Sequence, residues 1–394
     1  MKSASAISYE IEDWKETAAS LSDTIRKKLP LRRNSIGVLF CDADTDGASL
    51  SGELKRLLDM DVVGMTTLAP IDEDGRHESA VVLSVLTADD CEFTTAVSEP
   101  LSEGAEDTPR RIADAYRRTA SPSGPPKLVF ICCPYGMPFS GDLYPDVLSS
   151  LYAGTPLMGG VASDDYDYER ARVFCSGREY KDRLAAFGIA GHVKPAFVLR
   201  HVTSKFAERI RRVVNADGNV VYQVGDETLV QYLEGFGLRT DVEDPLIAFT
   251  SYPMMLTMDG GGETPLMRHI LSLDHETGSG TFFGNVPTGS LANICLVSSG
   301  DIMASCGESM NSLLEIYAGE KEYEYSAIFC ISCSGRAMIL GKDSEAEGRV
   351  ISSLLPEGLP LTGAYCLGEI CPARYGEDDV SNRFHNCSIT FCML

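Results

Sequence analysis

The 394-residue chain carries 34 Lys and Arg against 57 Asp and Glu, a formal net charge of −23. Such a surface repels phosphate backbones and anionic membranes, so nucleic acid is excluded as an expected partner and a soluble cytoplasmic protein is favoured. Apolar residues make up 44% of the chain, enough for ordinary cores, and at about 100–200 residues per domain two domains are expected.

The N-terminal stretch has no apolar signal core, and no run of about 18 apolar residues occurs, so no membrane insertion is expected. The 13 cysteines are an odd number scattered through apolar runs. Together these features point to a reducing compartment and free thiols.

In chain order, Trp14, Ala18, Leu21, Ile25 and Leu29 fall on one helical stripe. A unit then recurs. The runs SIGVLF, KLVFIC and AIFCIS read as buried strands. Each is followed by an amphipathic helix, marked by Leu50, Leu54, Leu57 and Leu58, then by Leu143, Val147, Leu148 and Leu151, then by Val350, Ile351, Leu354 and Leu355. A second strand with a glycine turn and a third strand (AVVLSVL, LAAFGIAG, CSITFCML) complete each unit. The spacings from Ile36 to Gly64, Leu128 to Gly159 and Ile328 to Gly363 are 28, 31 and 35 residues. A right-handed strand–helix–strand crossover extended by an antiparallel strand is the expected module. The predicted fold class is α+β: mixed β-sheets with helices on the outer faces, a layered sandwich of repeated strand–helix–strand modules in two domains. Further helices are expected near Thr108–Arg118, over residues 226–233, and around Met310, Leu313, Leu314 and Tyr317. An acidic, proline-bearing turn at 238–246 is the best boundary, giving an N-terminal helix over 1–34 and domains over 35–240 and 241–394.

One loop stands out. Asp42, Asp44, Asp46, Gly47 and Glu53 follow the spacing of an EF-hand calcium loop. An EF-hand needs a helix on both sides, whereas this loop leaves a strand, and its eighth position is Ser49. The expected role is a helix cap by Asp44 or Asp46, with calcium as the alternative.

The glycine-turn segments carry a family resemblance. TPLMGGVASDD (residues 155–165) with RVFCSGREYKDRLAAFGIAG resembles the FIST N-domain, and AIFCISCSGRAMILG (327–341), LPLTGAYCLGEICP and the terminal FHNCSITFCML resemble the FIST C-domain in order and spacing. Ser332-Cys333-x-x-Arg336 and Gly368-Glu369-Ile370 match most closely, while VVGMTTLAP departs in detail. The resemblance implies an intracellular sensory module that binds a small ligand such as an amino acid. With about 35 residues before the first strand, it also implies output through a separate kinase, cyclase or chemoreceptor-type partner.

On that resemblance the expected ligand pocket comprises Gly159, Gly160, Asp164, Cys333, Arg336 and Glu369. Glycines permit close backbone approach, and a guanidinium can hold a carboxylate bidentately. The competing readings are a tight turn at Gly159-Gly160 and an internal salt bridge from Arg336, with Glu369 as its nearest expected partner. Cys330-x-x-Cys333 reads as buried thiols, since strand positions three apart face opposite ways and no second such pair exists for zinc. Some FIST-type sensors carry haem, for which His269 or His275 would serve, but no C-x-x-C-H attachment signature occurs. No cofactor is therefore expected, with haem or calcium as alternatives. The DGGGE stretch at 259–263 lacks the ending of a phosphate loop. No enzymatic activity is expected. A thiol-dependent enzyme using Cys333 and a ligand-free protein–protein adaptor are the alternatives.

Overall fold

The computed structural model describes residues 1–202, 205–206, 209–258, 265–376 and 379–394, which leaves DGGGE outside. Three chain segments follow one plan. The first is β1 (Lys2–Ser8), α1 (Trp14–Lys28), β2 (Asn34–Cys41), α2 (Gly47–Leu58), β3 (Asp61–Thr66), a hairpin of β4 (Pro70–Asp72) and β5 (Gly75–Arg76), and β6 (Val81–Ala88). The second is β7 (Cys91–Val97), α3 (Thr108–Arg118), β8 (Leu128–Cys133), α4 (Leu143–Leu151), β9 (Leu157–Val161), the hairpin β10 (Val173–Cys175) and β11 (Arg178–Tyr180), and β12 (Ala185–Gly191). The third opens with β13 (Ala196–His201) and is then interrupted.

The interruption is a separate sheet. It contains β14 (Lys205–Phe206), β15 (Arg211–Asp217), β16 (Val220–Val224), β17 (Glu227–Thr228), α5 (Leu229–Glu234), α6 (Pro245–Ala248), β18 (Met254–Thr257), β19 (Leu266–Arg268), β20 (Ile270–Asp274), β21 (Ser279–Phe282) and β22 (Leu291–Leu296). Its own core gathers Val213, Val221, Leu229, Tyr232, Phe249, Phe282 and Ile294. The third segment then resumes with α7 (Ser299–Gly319), β23 (Ile328–Cys333), α8 (Ser334–Leu340), α9 (Ala346–Leu354), β24 (Leu361–Cys366), the hairpin β25 (Glu369–Tyr375) and β26 (Val380–His385), and β27 (Ser388–Met393).

The repeated α+β module with mixed sheets is thus present. The unforeseen elements include β1 ahead of the opening helix, the strands β7 and β13, the hairpins β4–β5 and β10–β11, the short α8, and the inserted sheet. The helix expected over 226–233 starts only at Leu229, because Thr228 and Gln231 form a capping box.

Each segment builds a sheet in which the strands flanking its crossover helix run parallel (β2 with β3, β8 with β9, β23 with β24) and its last strand (β6, β12 or β27) pairs antiparallel with the first of the two. The hairpins are exchanged cyclically. That of the first segment joins the third sheet, that of the third joins the second, and that of the second joins the first. The three inner faces share one core. Phe130 sits at its centre, with ring centroids 5.3 Å from both Phe187 and Phe329 and 6.4 Å from Phe40, so rings from all three repeat sheets meet there. The outer faces are covered by the pairs α1–α2, α3–α4 and α7–α9, each over its own apolar cluster.

The three glycines of the repeat now have a physical cause. A Cβ built on Gly64, Gly159 or Gly363 collides with the backbone oxygen of Leu39, Ile131 or Cys330 on the parallel neighbour strand. Just beyond them the chains of the three segments cross. The Ser163 N–H donates to Thr66 O at 3.2 Å and the Leu367 N–H to Val161 O at 3.1 Å. The Thr67 hydroxyl donates to Tyr365 O at 2.8 Å, closing the ring of contacts.

Candidate functional site

The loop after β8, residues 134–141, reads PYGMPFSG. Its prolines and glycines prevent it from continuing the strand or starting a helix, so it arches over the end of the second sheet. The inserted sheet meets it from the other side. A buried ion pair fixes the meeting: Arg268 Nη2 donates to both carboxylate oxygens of Asp142, at 3.2 and 3.0 Å. The remaining donors reach Phe384 O at 2.9 Å and Asn285 O at 3.0 Å, and the Asn285 N–H returns to Asp142 at 2.7 Å. Every strong group in this staple has a partner, as burial of charge requires.

Between loop and insert lies a cavity of ≈ 350 Å³. Tyr135, Met137, Phe139 and Tyr144 line it from the second segment, Phe384 from the exchanged hairpin, and Leu271, Phe282 and Phe283 from the insert. No lining side chain is charged. The Tyr144 hydroxyl is buried without a hydrogen-bond partner.

A second, much smaller void of ≈ 20 Å³ adjoins it and shares Phe283 as a wall. Its surface includes Cys333, Ser334, Gly335, His269, Tyr166 and Tyr168. The Ser334 hydroxyl, His269 Nε2 and the Tyr168 hydroxyl are all buried and unpartnered. Burial pushes the His269 pKa down to about 4, with the Thr250 backbone opposing, so the ring is neutral at pH 7.

The expected pocket residues are brought together only in part. Cys333 and Glu369 are neighbours. Burial pushes the Glu369 carboxyl up to about 8, against the pull of the Ser388 donors, of the Cys333 thiol and of Arg336. The Ser388 N–H and hydroxyl donate to Glu369 Oε2 at 3.2 and 2.6 Å. The Cys333 thiol is raised well above its usual range, first by burial and then by Glu369. Gly159 and Gly160 lie inside β9, opposite Ile370 and Glu369 of β25, and line neither cavity. Asp164 acts one step back. Its carboxylate accepts the N–H groups of Tyr166 and Tyr168 at 3.1 Å and of Arg170 at 3.0 Å, and so shapes the loop that delivers both tyrosines to the void.

Arg336 points elsewhere. Because α8 begins directly at Ser334, the side chain turns to the outer face, where it meets Glu347 of α9 rather than Glu369. The Asp42–Glu53 loop does not close into a cage of its own acids. Asp46 caps α2 through the Ser49 N–H at 2.9 Å, Glu53 pairs with Arg56, and Asp44 pairs with Arg170. Asp164, Asp165 and Asp167 are the acidic group that converges among the described residues, and Arg170 bridges Asp165, Asp167 and Asp44 there. His269 is buried before β20, while His275 follows it and contacts Thr240 O at 3.1 Å, so the two do not face one site. Cys330 sits in the outer core of the third sheet and Cys333 beside the void.

Sequence reasoning did not single out the aromatic cavity. The available signal was PYGMPFSG, a proline- and aromatic-rich loop where the first segment has the short polar run DADTD and the third passes from β23 straight into α8.

The chain matches the FIST N domain over residues 35–227 and the FIST C domain over residues 227–372. It belongs to the FIST family. FIST domains are associated with sensory signal transduction. The junction of the two matches falls inside the inserted sheet, and β25, which begins at the end of the C-domain match, pairs with β9 of the N-domain match, so the two FIST segments interlock. Among the curated proteins, none matches the chain. A crystal structure of a cyanuric acid hydrolase from A. caulinodans is 8% identical, covering 99% of this chain and 98% of that one at a TM-score of 0.33, a likeness too distant to bear on fold or chemistry. Among the described residues, no helix is long and apolar enough to cross a membrane.

Proposed function

We propose that this FIST protein is a non-enzymatic small-molecule sensor whose ligand occupies the aromatic cavity between the second segment and the inserted sheet. The observation that carries the reading is the ≈ 350 Å³ cavity lined by aromatic side chains from both bodies, a size and composition typical of ligand sites. The absence of a charged lining group there favours an uncharged, largely apolar molecule over a free amino acid, whose ammonium and carboxylate would be left unpaired. A ligand gripping both sides biases the angle of insert against body, and a separate signalling partner reads that shift. The thirteen cysteines, twelve of them buried, fit a reducing, intracellular setting.

The test is native mass spectrometry of freshly purified protein against its denatured mass, repeated on Met137→Trp, which fills the cavity from its loop. A small organic adduct lost in the variant, with an unchanged melting temperature, supports the reading. An adduct indifferent to the substitution overturns it.

A further inference from the structure

The three unpartnered polar atoms around the small void have no role in the fold as described. Ser334 and His269 are 1% and 4% exposed. A buried donor or acceptor without a partner costs on the order of 1–3 kcal/mol, so three around one space call for an occupant. The void holds ≈ 20 Å³, room for a single water-sized group, which needs about 10–15 Å³ and two to four polar neighbours. It is also adjacent to the aromatic cavity. Phe283 lines both, and the Tyr135 ring on one side lies 5.4 Å from the Tyr168 ring on the other.

We infer that the void is the head-group end of the ligand site, taking an uncharged hydroxyl or amide carried on an apolar or aromatic body. This rests on the aromatic cavity being the ligand site. The chemistry follows from the atoms. His269 is a neutral imidazole whose other ring nitrogen faces the Thr250 backbone. Nε2 therefore presents a lone pair and requires a donor. The Ser334 and Tyr168 hydroxyls can each donate or accept. A hydroxyl satisfies this set, giving its proton to Nε2 and accepting from a neighbouring O–H. A primary amide does the same. An apolar end would leave all three unpaired. Phe283, half-buried and shared, is the side chain that must turn to join the two spaces.

The probes are 2-phenylethanol and ethylbenzene, matched in body and differing in the hydroxyl. Binding is measured by ligand-observed NMR titration to the wild type, Ser334→Ala, and Tyr168→Phe, the last removing one hydroxyl and keeping the half-buried ring. The expected result is about fivefold tighter binding of the alcohol by the wild type, falling to within twofold in either variant while ethylbenzene affinity holds. Equal binding of both probes by the wild type, or a preference that survives both variants, overturns the head-group assignment and leaves the aromatic site standing. Binding of neither probe to the wild type, together with no adduct in the native mass spectrum, overturns both.

Discussion

Arg336 and Glu347 form a completely buried ion pair that ties the helices of the third segment to its sheet. Nε of Arg336 donates to Glu347 Oε1 at 2.9 Å, and its other nitrogens reach Ser305 Oγ at 3.0 Å and Ile302 O at 3.2 Å. The second oxygen of Glu347 accepts from Ser332 Oγ at 2.7 Å and from the Tyr365 hydroxyl at 2.9 Å. One residue change therefore strands a buried charge in contact with α7, β23 and β24. Glu347→Ala and Arg336→Ala should each destabilise by about 3–5 kcal/mol, read as a lowered midpoint in urea. A folded Arg336→Ala protein with an unchanged midpoint would show that the guanidinium is not structural.

Glu369 sets a pH dependence with an unusual sign. Its folded pKa, about 8, lies above the ordinary 4.5, so the folded state holds the proton more tightly. Its contribution is complete below 4.5 and is lost as pH rises through 8. Two buried histidines and the half-buried His201 act oppositely. Burial lowers His201 to about 3, His269 to about 4 and His385 well below its usual value, so their contribution is complete above 6.5 and lost as pH falls. Stability should therefore rise towards pH 6.5 and decline from there to about 8. Glu369→Gln keeps the shape and should remove that decline. Denaturation curves from pH 5 to 9 check this; a decline equally steep in the variant would assign it to another group.

The glycines at the crossing of the three segments should be interchangeable in their intolerance. Gly64→Ala, Gly159→Ala and Gly363→Ala each drive a methyl into a carbonyl oxygen of the adjacent strand. Gly159 adds a φ of 149°, a conformation L-residues rarely adopt. Each should cost more than about 3 kcal/mol or abolish soluble expression. Gly154→Ala is the contrast: its φ is 84°, yet a Cβ there meets nothing within 4 Å, so its cost is backbone strain alone, about 1 kcal/mol. Comparable melting temperatures for the two classes would contradict the close-packing argument.

The repeated module was legible because its signals are local: apolar runs, helical stripes and a glycine at a recurring distance. The hairpin exchange was not, because β4–β5, β10–β11 and β25–β26 carry no residue that says which sheet edge they join; tertiary fit decides it. The insert was hidden for a similar reason, since RRVVNAD and VVYQV read as ordinary strands whichever sheet owns them. At the site, Cys333 and Glu369 were found together because both flank glycine-turn strands of one module. Arg336 was misplaced by a single unforeseen helix, α8, which rotated it from the strand end to the outer face and exchanged Glu369 for Glu347 as its partner. The aromatic cavity brings together Tyr135 and Phe283, 283 − 135 = 148 residues apart in the chain, which no local pattern connects.

Thiol reactivity separates the sensor from a thiol-dependent enzyme. Twelve of the 13 cysteines are buried, and Cys175 alone is half-buried. Burial pushes Cys175 up to about 11 and raises Cys333 well beyond its usual range. The nucleophile is the thiolate, and a neighbouring carboxyl such as Glu369 stabilises none. Native protein at pH 7.5 treated with an aromatic disulfide reagent should release less than one equivalent quickly, and Cys175→Ser should abolish even that. Full denaturation should expose all 13. Rapid, stoichiometric labelling of Cys333 in the folded protein would mean that the strand end opens to solvent and that its thiol ionises there. In that case the void beside Ser334 and His269 would have to be reinterpreted as a reaction site rather than a cradle for an uncharged head group.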